Sequence, residues 1–143
     1  MSRPPTIADT AKNAERVREF ALEAARLCKD DKCEHVLMLD VSEQSQIADF
    51  LIIASGTSDR QLRAVLDHIA EMGQSLGFGA FRTNADPNAT WLLSDFVDVI
   101  VHLFEPNTRA YYDLETLWAD APRLDWRREG DDTHRNADWT DVP

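Results

Sequence analysis

Five consecutive apolar residues, Phe50-Leu51-Ile52-Ile53-Ala54, place the tightest constraint on this chain. A short run of that kind reads as a buried strand, and a strand apolar on both faces needs cover on both faces. The run ends in Ser55-Gly56-Thr57-Ser58, a turn. Ser58-Asp59-Arg60-Gln61 then has capping-box spacing, with Ser58 at the N-cap and Gln61 at N3. Leu62, Val65, Leu66, Ile69, Met72 and Leu76 follow at helical intervals, and Gly77 stops them. Strand, capped turn and amphipathic helix are therefore written in one uninterrupted stretch.

The flanking sequence extends this pattern. Ala14, Val17, Ala21, Ala24 and Cys28, widened by Phe20 and Leu27, predict an N-terminal helix capped by Asp9 or Thr10. His35 to Val41 reads as another buried strand, Ser42 to Ala48 as a polar helix-compatible segment, and Phe78 to Thr83 as a weak strand. Residues 84–90, with Pro87, read as a loop. Trp91–Phe96 and Val99–Phe104 form a tight hairpin about Val97-Asp98, although no glycine marks the turn. Period two puts Trp91, Leu93 and Asp95 on one face of the first strand, and Asp98, Ile100, His102 and Phe104 on one face of the second. Asn107 to Ala121 reads as a single helix with Tyr111, Leu114, Leu117 and Trp118 as its apolar set. The expected fold class is α/β, a single mixed β-sheet flanked by helices. Its expected divisions are an N-terminal helix region at 1–33, a mixed-sheet domain at 34–122 and a disordered acidic tail at 123–143.

Charge narrows the function. The net charge is −11, and residues 34–122 carry four arginines, no lysine and fourteen acids. Nucleic-acid affinity comes largely from lysine and arginine releasing counterions, so this segment is not expected to grip nucleic acid directly. A basic protein partner would be steered towards such a field. No run approaches the roughly 18 apolar residues of a membrane span. The opening Met1-Ser2-Arg3-Pro4-Pro5-Thr6 has no apolar core, and Asp9 and Glu15 argue against an organellar leader. Cys28 and Cys33, five residues apart, support neither a disulfide framework nor a four-ligand zinc site. A reduced cytoplasmic protein is the expectation.

Catalytic constellations are thin. Asp95 and Asp98 are the nearest approach to a paired-carboxylate site, with strand-end acids that face solvent or cap backbone N–H groups as the plainer reading. Ser55 to Ser58 lacks the glycines and lysine of a phosphate loop, so turn and capping chemistry is preferred. Ser94, Asp95 and His102 could be members of a triad, but no nucleophile elbow surrounds Ser94. Histidines 35, 68, 102 and 134 show no metal-ligand spacing. No catalytic residue, metal or cofactor is expected. Trp91, Tyr111, Tyr112 and Trp118 gather around the hairpin and last helix. Core packing is expected for Trp118 and Tyr111, while aromatics beside acids also suit an interface hot spot.

Several segments, taken in order, point to a family: Asp40-Val41, Ile47 to Ser58, Trp91-Leu92-Leu93-Ser94-Asp95, Asp98-Val99-Ile100-Val101-His102 and Arg109 to Trp118. From about residue 10 to residue 122 the chain resembles the ribosomal silencing factor family, also called the iojap family. The resemblance implies a fold related to nucleotidyltransferases without their catalysis. It also implies binding to ribosomal protein L-fourteen on the large subunit, steric exclusion of the small subunit, repression of translation, and a homodimer in the free state. The implied partner-binding residues are Trp91, Asp95, Asp98 and His102 from the hairpin, with Tyr112 and Glu115 from the last helix. Asp95 and Asp98 would meet arginine or lysine, and Trp91 would supply buried apolar area.

Two alternatives remain open at this level. One is a large-subunit assembly factor, the role of organellar relatives. The other is a residual nucleotide-binding or nucleotidyltransferase enzyme using Gly56 to Asp59. For the enzyme, the superfamily pattern would want Gly-Ser and then two acids one residue apart, but here Gly56 precedes Thr57 and Asp59 has no acid two residues on. The chain also departs from its family's usual pattern at Asn84-Ala85, where Glu-Gly is common, and at Val97, where glycine precedes the second aspartate.

Overall fold

A computed structural model describes residues 7–84 and 90–128. Within it the apolar run lies near the middle of a five-stranded sheet. The elements are α1 (Ile7–Asp30), β1 (Glu34–Asp40), β2 (Phe50–Ser55), α2 (Asp59–Ser75), β3 (Arg82–Asn84), β4 (Trp91–Asp95), β5 (Val99–Phe104), α3 (Pro106–Tyr112) and α4 (Leu114–Leu117). The strand order is β1-β2-β5-β4-β3, with β2 and β5 parallel and every other neighbouring pair antiparallel. The mixed sheet flanked by helices is thus as the sequence predicts, and every residue of β2 is buried.

The sheet has two unlike faces. On one, α1 and α2 bury Val17, Phe20, Leu62, Val65 and Ile69 against Met38, Ile52, Leu92, Val101 and Leu103. Phe20 stacks on Phe78 and meets Phe96 edge-on, each with ring centroids 4.9 Å apart. Helix α2 must approach closely there: a Cβ on Gly73 would stand 2.7 Å from the Phe78 carbonyl oxygen. The other face is a smaller cluster of Leu37, Leu39, Val41, Leu51, Ile53 and Phe104, with Trp91, Ile100, Leu114 and Trp118 packed against it part-buried.

Local chemistry explains both ends of α2. Ser58 Oγ accepts the Gln61 N–H at 3.1 Å, and Gln61 Oε1 accepts the Thr57 N–H at 2.9 Å, so the capping box closes one residue early on its return side. Gly77, with φ +90°, terminates α2.

Several expectations are corrected. Helix α1 begins at Ile7, so Asp9 and Thr10 lie inside it rather than capping it. Residues 42–48 are turns, because Asp40 Oδ1 accepts both the Ser42 N–H and its hydroxyl, and Ser45 Oγ accepts the Ile47 N–H. Such local side-chain bonds compete with helix. The strand expected from Phe78 shrinks to Arg82–Asn84, and residues 85–89 of the following loop lie outside the described residues. The single helix expected from Asn107 to Ala121 is two, broken by Asp113 in the left-handed region at φ 50° and ψ 55°. Tyr111, expected in the core, is 82% exposed.

The tail expectation fails at its beginning. Residues 123–128 run along the outer edge of β1. Arg123 bridges Leu39, and the Leu124 N–H donates to the Met38 carbonyl at 2.8 Å. Trp126 is 1% exposed and its indole N–H donates to the Val36 carbonyl at 2.9 Å. Arg26 Nε holds the Trp126 carbonyl at 2.7 Å, and Arg128 forks onto Asp30. The segment covers an otherwise open sheet edge, a position that proteins protect. Residues 129–143 lie outside the described residues.

Candidate partner-binding face

The antiparallel pairing of β4 and β5 sets Trp91 opposite Phe104, Leu93 opposite His102, and Asp95 opposite Ile100. Directly opposed residues share a face, so these six side chains lie together on the less-covered side of the sheet, where Trp91, Leu93 and Ile100 are part-exposed and Asp95, His102 and Phe104 are buried. Ser94 pairs with Val101 on the reverse side, is 1% exposed and shares a 3.1 Å hydrogen bond with Thr83. Ser94 and His102 therefore lie on opposite faces and cannot act as nucleophile and base.

Trp91 is the centre of the aromatic cluster on this face. Its indole N–H donates to His102 Nδ1 at 3.1 Å. Its ring lies 5.0 Å from that of Phe104 and 4.7 Å from that of Tyr112. His102 must be neutral at Nδ1 to accept that bond, and burial pushes its pKa down to about 4. A neutral imidazole thus fixes the tryptophan, while Tyr112, from α3, stays 51% exposed over it. Leu93 and Ile100 remain part-exposed and extend the apolar surface, although neither was among the partner residues singled out from the sequence. Their period-two phase with Trp91 and His102 was the available signal.

The acids divide into different roles. Asp95 is buried, and its carboxylate accepts the Val97 N–H at 2.8 Å and Arg82 Nη2 at 3.1 Å. It shapes the hairpin turn and is already paired, so it does not wait unpaired for a partner's cation. Val97 holds φ 78°, a conformation glycine adopts freely and a β-branched residue does not. Asp98 is part-exposed at the same turn. Nearby Asp49 has its carboxyl pushed up by partial burial, then by the charges of Asp98 and Asp40, which marks an acidic end to the face. Among the described residues, no group of three or more His, Cys, Asp or Glu could hold a metal.

Glu115 corrects the sequence expectation. It is 7% exposed and accepts Arg109 Nε at 2.8 Å, with Arg109 itself 2% exposed. Six residues apart on one straight helix they would point to different sides. The left-handed Asp113 between them folds Glu115 back onto Arg109. Glu115 is therefore an internal counter-ion and not part of the exposed face. Arg109 Nη1 also donates to the His35 carbonyl at 2.7 Å and Ser55 Oγ at 2.9 Å, tying α3 to β1 and β2. Sequence reasoning gave Arg109 no role of its own, though it is the one arginine between residues 83 and 122.

Comparison with known proteins identifies the family and the fold. The family model described as "Ribosomal silencing factor during starvation" matches residues 14–142. "Ribosomal silencing factor RsfS" of Bacillus subtilis is 38% identical over 102 residues, covering 71% of this chain and 86% of that one. "Mitochondrial assembly of ribosomal large subunit protein 1" of Mus musculus is 29% identical over 100 residues, covering 64% of this chain and 42% of that one. A crystal structure of a Chromobacterium violaceum protein superimposes with a TM-score of 0.65 at 30% identity, covering 73% of this chain and 85% of the other.

Proposed function

The chain belongs to the ribosomal silencing factor family, and from that premise we propose that it binds the large ribosomal subunit and blocks subunit joining by occupancy. The observation that carries this reading is the Trp91–Tyr112 pair, half-exposed and fixed by His102 on the less-covered face of an acidic sheet. A rigid aromatic anchor flanked by apolar Leu93 and Ile100 suits a hot spot, because it desolvates a large area at little entropy cost. Asp98 and its acidic neighbours would face basic groups on the partner, which in this reading is ribosomal protein L-fourteen. The mechanism is steric and involves no covalent step. A homodimer in the free state belongs to the same reading and is checked by light scattering.

The test is a sucrose gradient of purified subunits with and without the protein. Free subunits should accumulate, and the protein should travel with the large one. The Mus musculus relative named for large-subunit assembly supports a second reading. Co-migration with the large subunit while joining proceeds would select that assembly role. A protein that stays at the top of the gradient would overturn both readings.

A further inference from the structure

The turn that joins α1 to β1 brings together the chain's two cysteines, which the ribosomal reading does not use. Helix α1 closes with two backbone bonds. The Lys32 N–H donates to the Lys29 carbonyl at 3.0 Å, and the Cys33 N–H donates to the Cys28 carbonyl at 2.9 Å. Lys32 stands in the left-handed region at φ 74°. This is the Schellman ending, which sets the side chain of a last-turn residue against that of the residue just past the turn. Here that pair is Cys28 and Cys33. Their side chains share a hydrogen bond, and both belong to the larger core.

Packing alone does not call for two thiols, since small apolar residues would fill the same contact. Two sulfurs held there can also bond. The 2.9 Å backbone bond and standard covalent lengths keep the two Cα atoms within about 6.8 Å. That lies inside the range a disulfide bridges without backbone movement. Both thiols are free in the structure, and they differ in character. The Cys28 thiol donates to the Cys33 sulfur, which holds Cys33 below the ordinary thiol range against burial and the charge of Asp31. The same bond, then burial, pushes Cys28 up. Cys33 is also the outer of the two, 3% exposed where Cys28 is 0%. Lys32 lacks glycine's freedom at its φ, so this turn opens more readily than a glycine-closed one and uncovers Cys33 first.

We propose that Cys28 and Cys33 are a reversible oxidation site, closed by hydrogen peroxide into a disulfide across the end of α1. The Cys33 thiolate attacks one peroxide oxygen, the O–O bond breaks, and the departing hydroxide takes up a proton to leave as water. Cys33 is then a sulfenic acid, and the peroxide has been reduced by two electrons. Cys28 gives up its proton and attacks the Cys33 sulfur. The S–S bond forms, the S–O bond breaks, and a second water leaves. Two thiols and one peroxide thus give one disulfide and two waters. The staple fixes a junction of three elements. The Asp31 carbonyl accepts Gln61 Nε2 at 3.0 Å, Asp31 Oδ2 meets His68 Nδ1 at 2.6 Å, and Asp30 holds Arg128. It lies on the side of the sheet away from Trp91, so binding to the large subunit is expected to be unchanged.

The test is mass spectrometry of the folded full chain after treatment with hydrogen peroxide. The intact protein should lose two hydrogens and regain them with dithiothreitol. A tryptic digest without reductant should link the peptide that ends at Lys29 to the one that begins at Cys33. The oxidised protein should melt no lower than the reduced one, because the bond closes over a contact already made. In Cys28→Ala, Cys33 should stop at the sulfenic acid and be captured by dimedone, while in Cys33→Ala, Cys28 should stay unlabelled. Absence of the linked peptides, a disulfide formed only between two copies of the chain, or a clear fall in melting temperature on oxidation would overturn the proposal. So would dimedone labelling of Cys28 in a folded Cys33→Ala protein.

Discussion

Two tryptophans show how differently the two sides of this sheet are finished. Trp126 closes the core beside β1: it is fully buried, and its indole N–H binds a backbone carbonyl that only the folded sheet presents. Trp91 sits part-exposed on the opposite face, and its indole N–H binds a side chain, His102. The first satisfies every requirement of its ring inside the molecule. The second is orientated but left with area to cover. The same residue type thus serves cohesion at one site and recognition at the other, and what differs is whether helix and tail are packed over it.

That contrast can be broken in order of expected effect. Trp126→Ala should cost about 3–5 kcal/mol of stability, the range for emptying a large aromatic site, read as a lower urea midpoint. A loss below about 1 kcal/mol would show that the 123–128 segment is not docked in solution. Next is the His102 dependence. Its folded pKa of about 4 lies below the ordinary 6.5, so the unfolded chain binds the proton first. This contribution is complete above about pH 6.5 and is lost as pH falls towards 4, amounting to about 3 kcal/mol. Denaturation curves at stepped pH should show that slope, and His102→Gln should flatten it.

Trp91→Ala should act mainly on binding, weakening association with the large subunit by about 2 kcal/mol or more while the domain stays folded. Equal loss of fold and binding would erase the distinction between the two tryptophans. Smallest is Val97→Gly. Relief of the positive φ is partly offset by glycine's unfolded-state entropy, so a gain of about 1 kcal/mol or less is expected in melting experiments. A drop would mean that the Asp95–Val97 turn prefers the branched side chain.

Much of this was readable from residues alone. The run at 50–54, the Ser58 cap and the 62–76 stripe identify a strand and a helix because each is governed by near neighbours in sequence. Period two grouped Trp91 with Leu93 and Asp95, and His102 with Ile100 and Phe104, since alternation is a property of the strand itself, whereas the pairing of β4 with β5 put the two sets on one face. Family membership was legible in the ordered segments from Asp40 to Trp118. The partner list was legible only in part. Trp91, His102 and Tyr112 do converge, but Asp95 proved internally paired and Glu115 proved buried, because both depend on arginines whose positions the local pattern does not encode.

Local sequence thus determined the strands, the capped helix, the acidic field and the aromatic alternation, all set by bonds and spacings within a few residues. Tertiary structure alone decided the rest. It docked the 123–128 segment, whose lone Trp126 carries no periodic signal, by offering it the Met38 and Val36 carbonyls on β1. It broke the last helix at Asp113 so that Glu115 could neutralise Arg109, a charge that burial between α3, β1 and β2 would otherwise leave uncompensated.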